Sequence, residues 1–412
     1  RLVGATDTLG NTFSWTVDAS NRVTSITDAR NNRTTISYDA NGKVSAVTNP
    51  LGKSLSATYT AYGRLATFTD YMGNTISLNY DSLHRLASVT DKLGRQTQFT
   101  YDALGRLTSS IAPGNRTRSY SYSPRSELLS VIGPSNEQVT YSYRTSDSAL
   151  IQATDGNGHV TAFAFDNEGK ATSMRDANGK TVALSYDSNG RMIQTIDRNG
   201  NVITIGYEAS GLIKSIQMPD DSIQINQTNP GVTIVTGNGL TVEYDYDTEG
   251  QLVRYSQSDA LENINYQVQY SYDPAGNRTS MTTPFGTVSY VYDALDRLAS
   301  MTNHKNQSFS FGFDDNSVLT SIGYPNGVTA NFAYDAGERA TSVSDSKAGS
   351  TIVANLYSYD LGDNITQVQD FFGTHVYGYD ASDRLISATH PPSAMLPANA
   401  ESYSYDGADN RL

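Results

Sequence analysis

The residues with the chemistry to act as acids, bases or ligands recur too evenly along this chain to make one site. An aspartate follows an aromatic residue at Tyr38-Asp39, Tyr80-Asp81, Tyr101-Asp102, Tyr186-Asp187, Tyr272-Asp273, Tyr292-Asp293, Tyr334-Asp335, Tyr379-Asp380 and Tyr405-Asp406. Paired carboxylates perform general acid–base catalysis, but a catalytic pair occurs once in a chain and not in every repeat. Asp followed by two free residues and Gly is the pattern of a type I turn whose Asp side chain caps the backbone. Each of these aspartates is therefore expected to be a turn residue. Asp220-Asp221 is a singular acidic pair, yet it follows Pro219 at a turn with no evident partner. Asp39-Ala40-Asn41-Gly42 and Asp197-Arg198-Asn199-Gly200 start like calcium loops. They lead straight into strand patterns, without the further oxygen ligands and closing Glu that calcium needs.

Other reactive types give the same answer. The histidines, His84, His159, His304, His375 and His390, lie in distant repeats with no metal-ligand spacing, and there is no cysteine. A zinc site is not expected from such a set, and no nucleophile elbow or phosphate-binding glycine loop occurs. Arg64, Arg85, Arg106, Arg191, Arg297 and Arg384 recur just after the turn. They are expected to pair with a turn Asp or to lay their stems over a Tyr ring. The expectation is a protein with no catalytic, cofactor or metal site, and not an enzyme.

What positions these residues is a repeat of about 21 residues. From Tyr38 the aromatic returns at Tyr59, Tyr80, Tyr101, Tyr122 and Tyr143 without slippage. Each period holds two turns, as in Tyr101-Asp102-Ala103-Leu104-Gly105-Arg106 and Asp91-Lys92-Leu93-Gly94, with Gly105 and Gly190 suited to the left-handed place of a bulged hairpin. The segment before each aromatic alternates with period two: Ile76, Leu78, Tyr80; Val182, Leu184, Tyr186; Phe309, Phe311, Phe313. That is the mark of a half-buried strand. No helical pattern is evident. The fold class expected is all-β, a tandem array of hairpins spanning 1–412 as one continuous unit, with roughly 38 antiparallel strands. At ~4.8 Å per strand such a ribbon runs ~180 Å, and it must twist and curl into a hollow shell or barrel. The repeat fails near 213–240, 341–356 and 388–402, where protruding loops are expected, and local function with them.

Composition agrees. Hydrophobic residues make up 37% of the 412 residues, little for a thick core and enough for a thin layer. A net charge of −13 argues against nucleic-acid binding, which wants a basic stripe. No apolar run is long enough for a helical membrane span. The chain starts at Arg1 and stops at Leu412 inside repeats, and so reads as a segment of a longer polypeptide.

The Tyr-Asp-x-x-Gly-Arg-Leu pattern, best matched at Tyr101 to Leu107 and at Tyr186 to Met192, resembles the YD repeats of the Rhs family. It is similar to bacterial Rhs toxins, to the shell subunits of insecticidal toxin complexes, to wall-associated YD proteins and to teneurins. The resemblance implies a hairpin strip wound into a cocoon. In the toxin members the cocoon encloses a cytotoxic C-terminal polypeptide; in teneurins the related barrel belongs to an adhesion protein. The closing segment and self-cleaving aspartate site of the toxin members are not found here. The implied role is a non-enzymatic shell of a secreted or delivered bacterial polypeptide. Its partner would be the remainder of the same polypeptide, or a second copy through self-association. The alternative is an elongated cell-surface scaffold or adhesion protein contacting glycans.

Overall fold

The computed structural model describes residues 3–228, 231–236, 239–259, 264–392 and 398–412. Among the described residues it contains 38 strands and no helix. All belong to one sheet, and the ladders join strands consecutive in the chain, all antiparallel. The sheet is not closed on itself among the described residues: no ladder joins strands remote in sequence.

The two-residue period becomes alternating exposure along the strands. Ser54–Tyr59 and Gln96–Tyr101 alternate exposed and half-buried at every step. On the polar face, hydroxyls pair across strands, as between Thr58 and Thr67 at 2.6 Å and Ser121 and Ser130 at 2.6 Å, the cross-strand contacts that stabilise a pleated surface. Fully buried hydrophobic residues are confined to Val268, Ala330 and Ala388 among the described residues. This is a wall one side chain thick.

A register shift falls directly before the aromatic of each repeat, between Ser37 and Tyr38, Asn79 and Tyr80, Thr100 and Tyr101, Ser185 and Tyr186. The bulge follows from turn geometry: one left-handed residue closes the hairpin and leaves two residues opposite one.

The stretches that break the repeat differ from the loops expected of them. Within 213–240 lie the strands Ile213–Gln217, Ser222–Thr228 and Gly231–Thr236, with Ile225 paired to Ile234. Their apolar alternation simply continues the ladder. Asn229 and Pro230, between the last two of these strands, lie outside the described residues. Within 341–356 the strands Ala340–Lys347 and Ser350–Tyr359 form a long hairpin, closed by Ala348 and Gly349 at φ 50° and 81°. Two successive left-handed residues make the tight turn that suits strand twist, so the extra residues lengthen strands instead of bulging out. Within 388–402, His390 pairs with Asn399; residues 393–397 of its proline-rich connection lie outside the described residues.

The chain forms two compact units. The first comprises residues 1–118, 271–281 and 285–404; the second comprises 119–270, 282–284 and 405–412.

Candidate functional site

Each Tyr-Asp turn is a clasp built within five residues. In the turn at Asp102, one carboxylate oxygen accepts from the amides of Leu104 and Arg106, both at 2.9 Å. The other accepts from Arg106 Nε at 2.7 Å. Asp39, Asp81, Asp187, Asp273, Asp293, Asp335, Asp380 and Asp406 make the same pair of amide bonds, two and four residues on. Gly105 and Gly190 hold the fourth position at φ 80° and 79°. The amide and Arg106 hydrogen bonds to the Asp102 carboxylate hold it below the usual carboxylate range, as do the same bonds at Asp81 and Asp187.

The arginines fasten one repeat to the next. Arg85 pairs with Asp81 at 2.7 Å in its own turn, lies 4.8 Å from the centroid of the Tyr101 ring and donates to the carbonyl of Asp102 at 3.0 Å. Arg191 and Arg297 repeat the first two contacts over Tyr207 and Phe313. Arg106 and Arg384 pair with Asp102 and Asp380, while Arg64 lies 5.5 Å from the Tyr80 ring. Sequence reasoning offered either an ion pair or a ring contact, and Arg85 makes both.

The tyrosines do something the sequence did not reveal. Tyr38, Tyr80, Tyr101 and Tyr334 donate their hydroxyls to the carbonyls of Val23, Leu65, Leu86 and Leu319, fifteen residues earlier, at 2.7 to 2.9 Å. Tyr292 reaches Arg278 at 3.0 Å. Tyr186 packs under Lys170, burial raises the Tyr379 hydroxyl pKa, and Tyr405 bridges to Arg411; Tyr272 closes its strand in the same column. A fixed interval of fifteen between aromatic and an aliphatic strand start was the available signal.

In the first unit, residues remote in sequence meet through turn ends. Arg30 reaches Asp273 at 3.2 Å, Lys53 reaches Asp315 at 2.8 Å, and Lys92 reaches Glu338 at 2.6 Å. Arg95 reaches Asp363 at 2.5 Å, and Arg116 bonds Asp383. Separations of 243 to 268 residues correspond to about twelve periods. The turns of the early run that lie between repeats thus face the Tyr-Asp turns of the late run. Leu93 and Arg116 enter where Gly337 and Gly362 have no side chain: a Cβ would meet them at 2.9 and 1.8 Å. Asp70 sits in this seam. Burial pushes its carboxyl up, but Lys92, Asn316 and the Asn74 amide outweigh that and hold it down at about 2.

The reactive types that the sequence left scattered mostly stay structural. Both carboxylate oxygens of Asp197 are taken by its own turn. Asp221 accepts from the Ser222 amide at a turn. His84 packs on Tyr62 and His159 on Asp155. His375 and His390, fifteen residues apart, come together at 2.7 Å between Nδ1 atoms, with Asp370 3.2 Å from His375 Nε2. Among the described residues no group of three or more such side chains is arranged to hold a metal.

An array of antiparallel hairpins, each clasped by a Tyr-Asp turn and bonded to its predecessor, defines a repeat-built β wall. Comparison with known proteins gives the family. The Teneurin YD-shell profile matches residues 10–217 and 148–278, and the RHS Repeat profile matches 272–307. The chain belongs to the YD-shell family, a family of structural shells. Solved structures share the fold. The crystal structure of TcdB2-TccC3-TEV has a TM-score of 0.64 at 15% identity, covering 97% of this chain and 26% of that one. A Photorhabdus luminescens Tc holotoxin pore gives 0.65 at 14% identity, covering 97% and 25%. TcdB2-TccC3 without its hypervariable C-terminal region gives 0.60 at 12% identity, covering 99% and 33%. The chain thus spans about a quarter to a third of the chains it matches. The comparison with curated proteins returned no match.

Proposed function

We propose that this chain is one continuous stretch of non-enzymatic wall in a secreted or delivered bacterial polypeptide, and that the wall encloses a cargo region of that polypeptide. The observation that carries the reading is the seam of the first unit, where turns about twelve repeats apart are held together by ion pairs. A ribbon that meets itself in this way continues the wall across the seam, and a continued wall hinders proteases from reaching what lies behind it. The mechanism is steric. The repeated Asp and Tyr residues serve it as clasps, and none is an acid or base in a reaction. In the Tc toxin structures the shared fold accompanies other toxin components, which supports a cargo partner here.

The test is limited proteolysis of the natural full-length polypeptide, native and after unfolding. Enclosure predicts a protected core that includes sequence from outside this array, digested only once the wall is opened. Equal digestion of that sequence in both states overturns it. Electron microscopy of filaments or solid rods would favour the scaffold alternative. Exposed aromatics at turn tips, Tyr62, Phe285 and Phe371, are the observation behind an adhesion role. A glycan array on the purified chain tests it, with loss of binding expected in Tyr62→Ala.

A further inference from the structure

The fourth position of a Tyr-Asp turn demands a positive φ. Gly42, Gly63, Gly105, Gly169, Gly190, Gly211, Gly250 and Gly276 meet the demand earlier in the chain, with Asn21, His84 and Ser126 as the exceptions at φ 63°, 61° and 66°. From residue 293 onward glycine leaves this position: Ser317 holds it once, at φ 69°, and acids hold it at Asp296, Glu338, Asp363, Asp383 and Asp409, at φ 59°, 64°, 70°, 66° and 68°. A side chain there strains the backbone, which glycine does not. The turn itself has no need of a second acid, because the Asp at its first position already takes the free amides.

The four of these acids in the first unit share one other property. Each pairs with a cation of the early run: Asp296 with Arg30 at 3.5 Å, Glu338 with Lys92 at 2.6 Å, Asp363 with Arg95 at 2.5 Å, and Asp383 with Arg116. The cations are well covered, with 14 to 18% of the side chain exposed. The acids stay half-exposed, at 43 to 52%. The cations also differ in place from turn to turn. The position of Lys92 is held by Tyr71 one repeat earlier and Pro50 two repeats earlier, and that of Arg95 by Asn74. A slip by one repeat in that direction sets Glu338 against Tyr71 and Asp363 against Asn74, and leaves only Asp383 with a cation, Arg95 in place of Arg116.

We propose that Asp296, Glu338, Asp363 and Asp383 are electrostatic latches that select a single register of the late run against the early run in the first unit. The left-handed strain each carries is tolerated because the carboxylate reaches across the seam. The seam is then a joint that opens when these charges are removed, while each hairpin stays folded.

Replacing a latch by glycine separates this from a local turn role by the sign of the effect. In the 412-residue chain, Ala348→Gly at φ 50° is the reference and raises the unfolding midpoint by relieving strain. Asp383→Gly is expected to lower the midpoint and to speed hydrogen exchange at residues 113–117. In a background carrying both Arg116→Ala and Asn364→Ala, which also removes the bond from Asn364 Nδ2 to Asp383 at 2.6 Å, the same substitution is expected to raise the midpoint, because only strain relief remains. The exchanged pair Arg116→Asp with Asp383→Arg is expected to recover part of the loss that either swap causes alone. A rise on Asp383→Gly with Arg116 present, an equal shift in both backgrounds, or no recovery by the exchanged pair overturns the proposal.

Discussion

The hydroxyl of Tyr80 donates to the carbonyl of Leu65 at 2.8 Å, tying one hairpin to the one before it. A net hydrogen bond of this kind contributes about 1 kcal/mol, and removing the donor leaves a half-buried carbonyl without it. Tyr80→Phe should lower stability by about that amount in chemical denaturation. Phe313 already lacks the hydroxyl, and Leu298 starts the strand fifteen residues earlier. Phe313→Tyr should therefore gain stability of the same order. Equal stability of both variants and the parent would show that the hydroxyl is inert.

The clasp of Asp102 separates two interactions that one substitution can divide. Asp102→Asn keeps an oxygen for the amides of Leu104 and Arg106, as Asn49 does for those of Leu51 and Lys53 at 3.0 Å, and loses only the Arg106 pair. Asp102→Ala loses all three. Alanine should cost about 1–2 kcal/mol and asparagine less than half of that. The order Ala worse than Asn, read from urea midpoints, is the check.

Asp70 gives the first unit an acid-sensitive joint. Its folded-state pKa of about 2 lies below the ordinary 3.8. The paired carboxylate therefore contributes stability that is complete above about pH 4 and is lost as pH falls through 2. One pKa unit corresponds to about 1.4 kcal/mol, so the contribution at neutral pH is about 2 kcal/mol. Asp70→Asn should be less stable at pH 7 and should lose less than the parent between pH 5 and pH 2. Parallel pH profiles of unfolding would contradict this.

Two glycines should respond to alanine for different reasons. Gly94 has φ 77° and open space around its missing Cβ, so Gly94→Ala should cost about 1 kcal/mol of backbone strain. Gly156 is outside the left-handed region, but a Cβ there would meet the carbonyl oxygen of Gly407 at 1.7 Å. Gly156→Ala must push two backbones apart, and overpacking of this kind costs about 1–3 kcal/mol. Thermal unfolding of the two variants should rank Gly156→Ala as the more damaging.

The sequence by itself determined what is decided within one or two repeats. Strand alternation, the Asp clasp at Asp102, the left-handed place of Gly105 and the strand number all follow from local periodicity, because their partners lie within a few residues. It misread 341–356 as a loop, since no propensity announced that Ala348 would take φ 50° beside Gly349. The bonds from Tyr80 to Leu65 and from Arg85 to the Tyr101 ring were decided by how one hairpin leans on the next. Only the tertiary structure decided that Lys92 meets Glu338, and that Gly156 lies against Gly407. Those contacts depend on curvature accumulated over about twelve repeats, where a small change in twist per hairpin moves the meeting point by a whole residue or more. The clasp is written in five residues; the latch is a property of the wall.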